Sequence, residues 1–466
     1  MRRWKMWTAA AMTAILCAAQ AFPAMADEGE AEQGTSYFEY QWALKNTGNL
    51  QRVMTLYEDL GELPLPGAPR LLIKRHVTEN SVAGMDINVE PAWDIYERGG
   101  ERRNVTVALI DTGVDISHPD LKDAIWVNSD EIPGDGIDND GNGYADDVNG
   151  WNFYSGSNQV FVGDEDNHGT HGAGTIAGAW DGRGITGIAD SAYVKIMPLK
   201  ALGSESGSGV SEGVKEAIRY AEANGADICN LSMGTVKFDQ ELQDLIKNSS
   251  MLFVISAGNG DASGVGYDID QSPVYPASYP SDNIISVANL MFDGTLDVSS
   301  NYGAESVDIA APGTYILSTI PGGYGFMSGT SMSAPMVTGA VALIYSCRTD
   351  MDLDDVREAI LGSAVKLKSL NGAVASGGML NVYGALTYGG PGFVPAPPKE
   401  TQPGEPQPDE TQSGKAQPGE PQSGEPQPGE TQSGKAQSGE TQPGETQHSE
   451  AQTGSTHENG SEAAGL

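Results

Sequence analysis

Short apolar runs alternate with longer helix-like segments between residues 105 and 345, and this alternation constrains the fold more than any other feature of the sequence. The runs are rich in β-branched residues, as in VTVALI at 105–110, which is typical of strands buried on both faces. Strands alternating with helices favour an α/β fold in which a mostly parallel sheet carries helices on both faces. We predict strands at 105–110, 192–199, 227–232, 251–256 and 284–290, and helices at 169–179, 210–223, 239–247 and 331–345.

The N-terminus has the features of an export signal. Three basic residues precede an apolar run, and the small-residue motif Ala24-Met25-Ala26 follows it. We predict a signal peptide at 1–26, cleaved after Ala26, and a short leader at 27–36. Because the apolar run is too short for a comfortable membrane span, we expect a secreted, extracellular protein whose mature chain has no membrane anchor.

Two further segments depart from the alternation. Residues 48–83 have an irregular pattern broken by Pro64, Pro66 and Pro69, which predicts a loop or insertion of unknown purpose. Residues 389–466 consist largely of five-residue units rich in Gln, Gly and Glu, with almost no large apolar side chains. Such a segment cannot bury enough surface to fold, so we predict a disordered, low-complexity acidic tail. Association of the secreted protein with the cell wall through this tail is an alternative to free release. We predict that the remaining residues, 37–388, form one domain.

The charge balance excludes several kinds of partner. The chain has 63 acidic and 26 basic residues, a net charge of −37. Nucleic acid requires a positive surface, so it is excluded, as is attachment to anionic lipid through basic residues. After signal cleavage only Cys229 and Cys347 remain, and two cysteines so far apart in the chain do not form a disulfide framework. We expect both to be buried as small apolar side chains. We also expect the protein to be a monomer.

Polar residues follow several predicted strands. Asp111, Ser232 and Asn259 each lie at or just after a strand end, and parallel sheets gather active-site groups at the carboxyl ends of their strands. Of six histidines, His168 and His171 open a small-residue helix in NHGTHGAGTIAG, and histidine is the natural base near neutral pH. From the pattern alone, a structural role or a metal site for this pair is an equal alternative.

The string GTSMSAP places Ser331 at the N-terminus of a long apolar helix, with Pro335 expected in its first turn. The helix dipole and the free N–H groups there favour a developing negative charge. The alternative is that Ser331 only caps the helix. Similarly, Asn259 in SAGNG can donate its amide to an oxyanion, or it can simply form an Asn-Gly turn.

Together these motifs resemble those of the subtilisin family of serine proteases, over about residues 37–385. The similar strings follow the family's chain order and read VALIDTGVDISHPDL, HGTHGAGTIAG, NLSMGT, SAGN and GTSMSAPMVTG. The resemblance implies that Ser331 is the nucleophile, His168 the general base and Asp111 the group that orients it. It also implies an oxyanion hole made by Asn259 and the Ser331 N–H, and a structural role for His171. The function implied is a secreted serine endopeptidase that cleaves proteins through an acyl-enzyme.

The resemblance extends to substrate binding. It implies that the strand residues Ser232, Met233 and Gly234 pair with the substrate backbone, which gives broad specificity. Ser256 to Gly258 would form the facing wall of the primary pocket. Val274 stands where the family often has glycine at the pocket base, so we predict a shallow, apolar pocket.

An acidic loop at 135–147 (DGIDNDGNGYADD) resembles the first part of an EF-hand and predicts a calcium site. The expected ligands are oxygen atoms at alternate positions, with Asp147 replacing the usual glutamate: Asp138, Asp140, Asn142, the Tyr144 carbonyl, Asp146 and Asp147. The alternative is an acidic turn that holds no ion.

Two features depart from the family pattern. Only a short leader separates Ala26 from Tyr37, where the resemblance begins, so we expect either maturation without a folded propeptide or a related role for the insertion at 48–83. The loop AWDGRGITGIA lacks the asparagine-rich form of the family's tight calcium site. Because all four catalytic positions are occupied, an active enzyme is favoured over a silent binding protein of the same fold. A matrix-binding structural protein, suggested by the tail, is a third hypothesis. The physiological substrate and the activation route are left open.

Overall fold

The computed structural model describes residues 35–62, 70–203, 211–261 and 263–389, with the backbone alone for residues 52–62, 70–78 and 211. The predicted signal peptide, most of the predicted leader and the predicted tail beyond residue 389 lie outside the described residues.

Strands and helices alternate along the described chain. The strands are β1 (Gln51–Glu62), β2 (Arg70–Asn80), β3 (Val105–Asp111), β4 (Trp151–Asn152), β5 (Val194–Lys200), β6 (Ile228–Leu231), β7 (Leu252–Ser256), β8 (Ile284–Leu290), β9 (Ile309–Pro312), β10 (Ile316–Ile320), β11 (Gly323–Met327), β12 (Val365–Lys366) and β13 (Gly378–Met379). The helices are α1 (Glu90–Glu97), α2 (Asn167–Ala177), α3 (Ser211–Ala223), α4 (Gln240–Asn248), α5 (Thr330–Cys347), α6 (Leu353–Gly362) and α7 (Val382–Leu386). Each strand and helix predicted from the sequence is present, with ends shifted by no more than two residues.

Nine of the described strands form one sheet in the order β12-β13-β9-β8-β7-β6-β3-β5-β4. From β13 to β4 the neighbouring strands run parallel, whereas β12 pairs antiparallel with β13. The prediction of a mostly parallel sheet is therefore confirmed. Strand β3 has β5 on one side and β6 on the other, so the strand order reverses at β3, and such reversals open a crevice at the carboxyl ends of the strands.

Successive residues of β3 point into two different cores. Val107 and Leu109 belong to a core that contains α2 and α5, whereas Ala108 and Ile110 belong to one that contains α3 and α4. Helices thus cover both faces of the sheet, as predicted. Because both faces are buried, the strands need apolar residues at every position, which is why they read as continuous apolar runs.

The prediction of a loop at 48–83 is wrong for residues 51–62 and 70–80, which form two strands, while the prediction of an insertion stays untested. Strands β1 and β2 pair antiparallel, with Gln51 opposite Asn80 and Asp59 opposite Leu72. The three prolines that suggested an irregular segment all fall within residues 63–69, which lie outside the described residues.

Burial of the two cysteines differs. Cys229 is fully buried in β6, as predicted, whereas Cys347 is only partly buried because it ends α5. Both are free thiols. No helix in the described part of the chain combines the length and the apolar composition needed to span a bilayer.

Candidate active site

The predicted catalytic residues lie on elements that end or begin at the carboxyl edge of the sheet. Asp111 is the last residue of β3, and Asn259 follows three residues after the end of β7. His168 and Ser331 are each the second residue of their helices, α2 and α5. The contacts described below join β3 to α2 and the segment after β7 to α5. A Cβ placed on Gly172 of α2 would lie 3.6 Å from Pro335 of α5, so the two helices also touch.

Asp111 and His168 form a buried pair. His168 Nδ1 lies 2.7 Å from Asp111 Oδ1, and the same oxygen accepts the N–H of Thr112 at 2.7 Å. Burial lowers the pKa of His168, but the charge of Asp111 and the hydrogen bond to it act in the opposite direction, so the pKa is raised overall. Since a carboxylate only accepts, Nδ1 carries the proton and Nε2 is left to exchange protons with another group.

A glycine permits this contact. The N–H of Gly169 donates to Thr112 Oγ1 at 3.1 Å, which holds the first turn of α2 against the segment after Asp111. A Cβ placed on Gly169 would lie 2.2 Å from the Gly113 carbonyl oxygen, closer than real contacts allow. Only glycine therefore lets α2 approach β3 closely enough for His168 to reach Asp111.

His171 takes no part in this pair. Its Nε2 donates to the Ile316 carbonyl at 2.8 Å, and its Nδ1 has no partner among the described residues. Burial lowers the pKa of His171 to about 4, so the ring is neutral and holds the backbone of β10. The pattern could not separate the two histidines, because both open the same helix.

Ser331 does not cap its helix, since Gly329 occupies the N-cap position of α5. Pro335 lies inside α5, in the second turn and not in the expected first turn. Proline has no N–H, so the Ser331 carbonyl lacks its usual intrahelical donor. Ser232 replaces that donor: its Oγ–H donates to the Ser331 carbonyl at 3.3 Å. Sequence reasoning had given Ser232 a role in substrate binding only.

Asn259 is anchored at one end of its amide and free at the other. Its Oδ1 accepts the N–H of Thr330 at 2.8 Å, while its buried Nδ2 has no partner among the described residues. The N–H of Gly258 donates to Thr330 Oγ1 at 3.1 Å, which adds a second link to the start of α5. A buried amide N–H without an acceptor is uncommon, and this amide is bonded to Thr330, which directly precedes Ser331 in the chain.

Asn301 supports this loop and was not found from the sequence. Its Nδ2 donates to the Ala257 carbonyl at 3.0 Å, and its Oδ1 accepts the N–H of Gly260 at 3.0 Å. Its own N–H donates to the Gly258 carbonyl at 2.9 Å. These bonds fix the backbone on both sides of Asn259. No local motif marks Asn301, so only the tertiary contact reveals it.

The predicted pocket residues lie on two facing segments. A Cβ on Gly234 would lie 2.8 Å from Val274 Cγ1, and a Cβ on Gly258 would lie 3.7 Å from the same atom. Val274 is therefore placed between the two segments and is itself buried. Ser256 is buried at the end of β7, whereas Met233 is only half-buried.

The acidic loop gathers three carboxylates, from Glu131, Asp140 and Asp147, whose oxygen atoms can lie within 4.8 Å of one another. The amide of Asn142 donates to Asp140 at 3.0 Å and to Asp147 at 2.9 Å, so it borders the cluster. The Tyr220 hydroxyl also donates to Asp147. Glu131 was missed because it precedes the motif.

Two of the expected metal ligands make other contacts. Asp138 accepts the N–H groups of residues 141, 142 and 143, and Asp146 accepts those of residues 134, 135 and 136. The Tyr144 ring packs edge-on against Trp151 at 5.1 Å between ring centres. The structure therefore groups Asp140 and Asp147 with Glu131, and uses Asp138 and Asp146 to shape the loop.

Comparison with known proteins gives a consistent result. The sequence model described as the Subtilase family matches residues 102–385. The chain is 36% identical over 282 residues to the major intracellular serine protease of Bacillus subtilis, covering 58% of this chain and 79% of that protein. It is 34% identical over 302 residues to a thermophilic serine proteinase of a Bacillus species, covering 64% of each chain. It is 33% identical over 311 residues to halolysin of Haloferax mediterranei, covering 66% of this chain and 53% of that protein.

Proposed function

This chain belongs to the subtilase family and is a serine-type endopeptidase, and from that premise we propose that it cleaves proteins outside the cell through an acyl-enzyme on Ser331. The observation that supports this assignment most strongly is the amide of Asn259: its Oδ1 is anchored to Thr330, the residue before Ser331, and its buried Nδ2 has no partner among the described residues.

In the acylation step, Ser331 Oγ attacks the carbonyl carbon of the scissile bond and His168 Nε2 accepts the hydroxyl proton. Asp111 keeps His168 in the tautomer with Nδ1–H and stabilises the positive charge that forms on the ring. The 2.7 Å contact between Nδ1 and Oδ1 supports both roles. The C–N bond then breaks, and His168 returns the proton to the leaving amine.

The negative charge that develops on the carbonyl oxygen needs donors that are already in place. Asn259 Nδ2 and the Ser331 N–H at the start of α5 supply them, and the α5 dipole adds to their effect. Because Asn259 is held through its Oδ1, its donor does not have to reorganise during the reaction. A water molecule, activated by His168, then hydrolyses the acyl-enzyme and frees Ser331.

Casein hydrolysis by the wild type and by Ser331→Ala tests this proposal. Activity should disappear in the variant, and a fluorophosphonate should label Ser331 in the wild type only. Equal hydrolysis by both proteins would place the activity elsewhere, and an unlabelled but folded wild type would favour a binding protein of the same fold.

We also propose a broad specificity with a shallow apolar primary pocket. Extended pairing of a substrate with the backbone of residues 232–234 is insensitive to side chains, which supports the first part. Val274 between the two pocket segments supports the second, since its side chain fills space that a glycine would leave open.

Calcium is proposed as a structural ion in the acidic loop. Three carboxylates held this close repel one another, and their hard oxygen atoms suit calcium. Glu131, Asp140 and Asp147 would hold the ion, with Asn142 adjacent. The ion would tie the loop to Tyr220 of α3 through Asp147.

We propose that the protein is secreted, because its N-terminal sequence has the features of an export signal, and that it is a monomer. The family does not decide the compartment, because one similar protein is named as intracellular. N-terminal sequencing of protein recovered from the medium should give a start at Asp27. Retention of the full chain inside the cell would refute export. Gel filtration of the released protein tests the oligomeric state.

A further inference from the structure

Lys200 is a buried lysine beside the catalytic aspartate, and no step of the reaction described above uses it. It ends β5 and lies opposite Asp111 in the parallel ladder with β3. Its side chain is only 1% exposed. Burying an ammonium group is unfavourable unless the group is paired and hydrogen-bonded, so its partners indicate its role.

The ammonium group of Lys200 contacts both segments that carry the catalytic pair. It donates to the Thr112 carbonyl, directly after Asp111 in the chain. It also lies 2.6 Å from Oδ1 of Asp166, which is fully buried and precedes His168 by two residues. The Glu165 carboxylate forms a longer ion pair with the same group, at 3.5 Å. The ammonium group thus donates hydrogen bonds to two acceptors at the junction of β3 and α2.

Asp166 is held from its other side as well. Its Oδ2 accepts the N–H of Val162 at 2.6 Å, and the residue is the N-cap of α2. A Cβ on Gly113 would lie 2.7 Å from Asp166 Oδ1, so the two segments touch here without a side chain between them. A change in this contact would move the start of α2 relative to the end of β3.

We propose that Lys200 is a positioning residue for the catalytic pair: its ammonium group fixes the Thr112 turn and Asp166 at the separation that sets Asp111 against His168. The inference rests on the proposed function of those two residues. Lys200 touches neither the substrate nor the reacting atoms, and it acts through the backbone of Thr112 and through Asp166.

The main test is the double variant Lys200→Met/Asp166→Asn in the full chain. Lys200→Met alone would leave the Asp166 carboxylate buried without a cation, so both charges are removed together. Active sites are counted by fluorophosphonate titration, and kcat is expressed per titrated site. A displacement of about 1 Å at a catalytic group lowers rates by about 100-fold, so we expect kcat to fall by about 10- to 100-fold. KM should change little, because substrate contacts are untouched.

A control variant and a spectroscopic measurement distinguish an effect on the position of the catalytic pair from an effect on the stability of the protein. Lys215→Met removes another buried lysine, 4% exposed and 2.6 Å from Glu241, that joins α3 to α4 and contacts none of the catalytic residues. It should unfold at a lower temperature but keep the wild-type kcat. The proton NMR resonance of His168 Nδ1–H should shift or broaden in the double variant and stay unchanged in Lys215→Met.

The outcomes are distinct. A folded double variant with kcat within about twofold of the wild type would overturn the inference while leaving the proposed function intact. Equal losses in the double variant and in Lys215→Met would also overturn it. If the double variant does not fold, Lys200→Gln/Asp166→Asn replaces it. Glutamine is too short to reach both the Thr112 carbonyl and the side chain at position 166, so a wild-type kcat in this second variant would also overturn the inference. A wild type that resists labelling would instead refute the proposed function.

Discussion

Replacing Val274 by glycine should convert a shallow pocket into one that accepts aromatic residues. Val274 Cγ1 lies where it would contact a Cβ on Gly234 at 2.8 Å and one on Gly258 at 3.7 Å, so its side chain fills the space between the two segments. Val274→Gly removes three carbon atoms from that space. The backbone bond from the Ser278 N–H to the Val274 carbonyl, 2.8 Å long, does not depend on the side chain.

The gain can be worked out from the atoms removed. Each buried methylene-sized group is worth about 0.8 kcal/mol, so an aromatic ring that fills the vacated space gains up to about 2.4 kcal/mol. That free energy corresponds to an increase of about 50-fold in kcat/KM for phenylalanine at P1, relative to alanine at P1. Alanine substrates should lose activity slightly, since the pocket no longer contacts a small side chain.

A series of peptide anilides that differ only at P1 measures this ratio in the wild type and in Val274→Gly. Val236→Ala is the matched control, because Val236 is 65% exposed and is not among the predicted pocket residues. Its ratio should equal that of the wild type. A wild type that already prefers phenylalanine, or a variant whose ratio changes by less than about threefold, would refute the placement of Val274 at the pocket base.

Three further outcomes follow from the same contacts. Asn259→Leu should lower kcat by about 100- to 1,000-fold with little change in KM, and a loss below tenfold in steady-state kinetics would remove the amide from the oxyanion hole. The pKa of His171 is about 4 in the folded protein and near its ordinary value of about 6.5 in the unfolded chain. As the pH falls from 6.5 towards 4, the unfolded chain binds a proton that the folded protein does not, so the free energy of unfolding should fall by about 3 kcal/mol. Urea unfolding of Ser331→Ala, which cannot digest itself, should show this loss, and adding His171→Gln should flatten it; an unchanged slope would contradict the assignment. Calcium should raise the unfolding temperature of Ser331→Ala, and adding Glu131→Gln should abolish that rise, whereas adding Asp138→Asn should preserve it. Equal effects of the two substitutions would refute the carboxylate cluster as the calcium site.

The order of the main elements was predictable from local sequence. Buried parallel strands must be apolar at every position and helices must repeat their apolar residues at helical spacing, so β3, β7 and β8 are readable without any tertiary information. The antiparallel pairing of β1 with β2 was missed, because the three prolines in the sequence suggested an irregular pattern over the whole of residues 48–83.

The residues of the site were predictable as candidates but not as a set. Asp111, Asn259 and Ser331 carry local signals, since each lies at a strand end or a helix start. The choice of His168 over His171 depended on the resemblance to a family, and in the structure it is the 2.7 Å contact with Asp111 that separates them. One histidine faces β3 and the other faces β10, a difference that the shared helix pattern cannot express.

The sequence by itself determined the order of the main strands and helices and the five motifs, and it predicts an export signal, because each of these depends on neighbours in the chain. The tertiary structure alone decided that Asn301 braces the loop of Asn259, that Glu131 joins Asp140 and Asp147, and that Lys200 links β3 to α2. These contacts join residues far apart in the chain, and which of them meet depends on which strands end side by side. Local periodicity contains no information about that adjacency, so only the folded sheet supplies it.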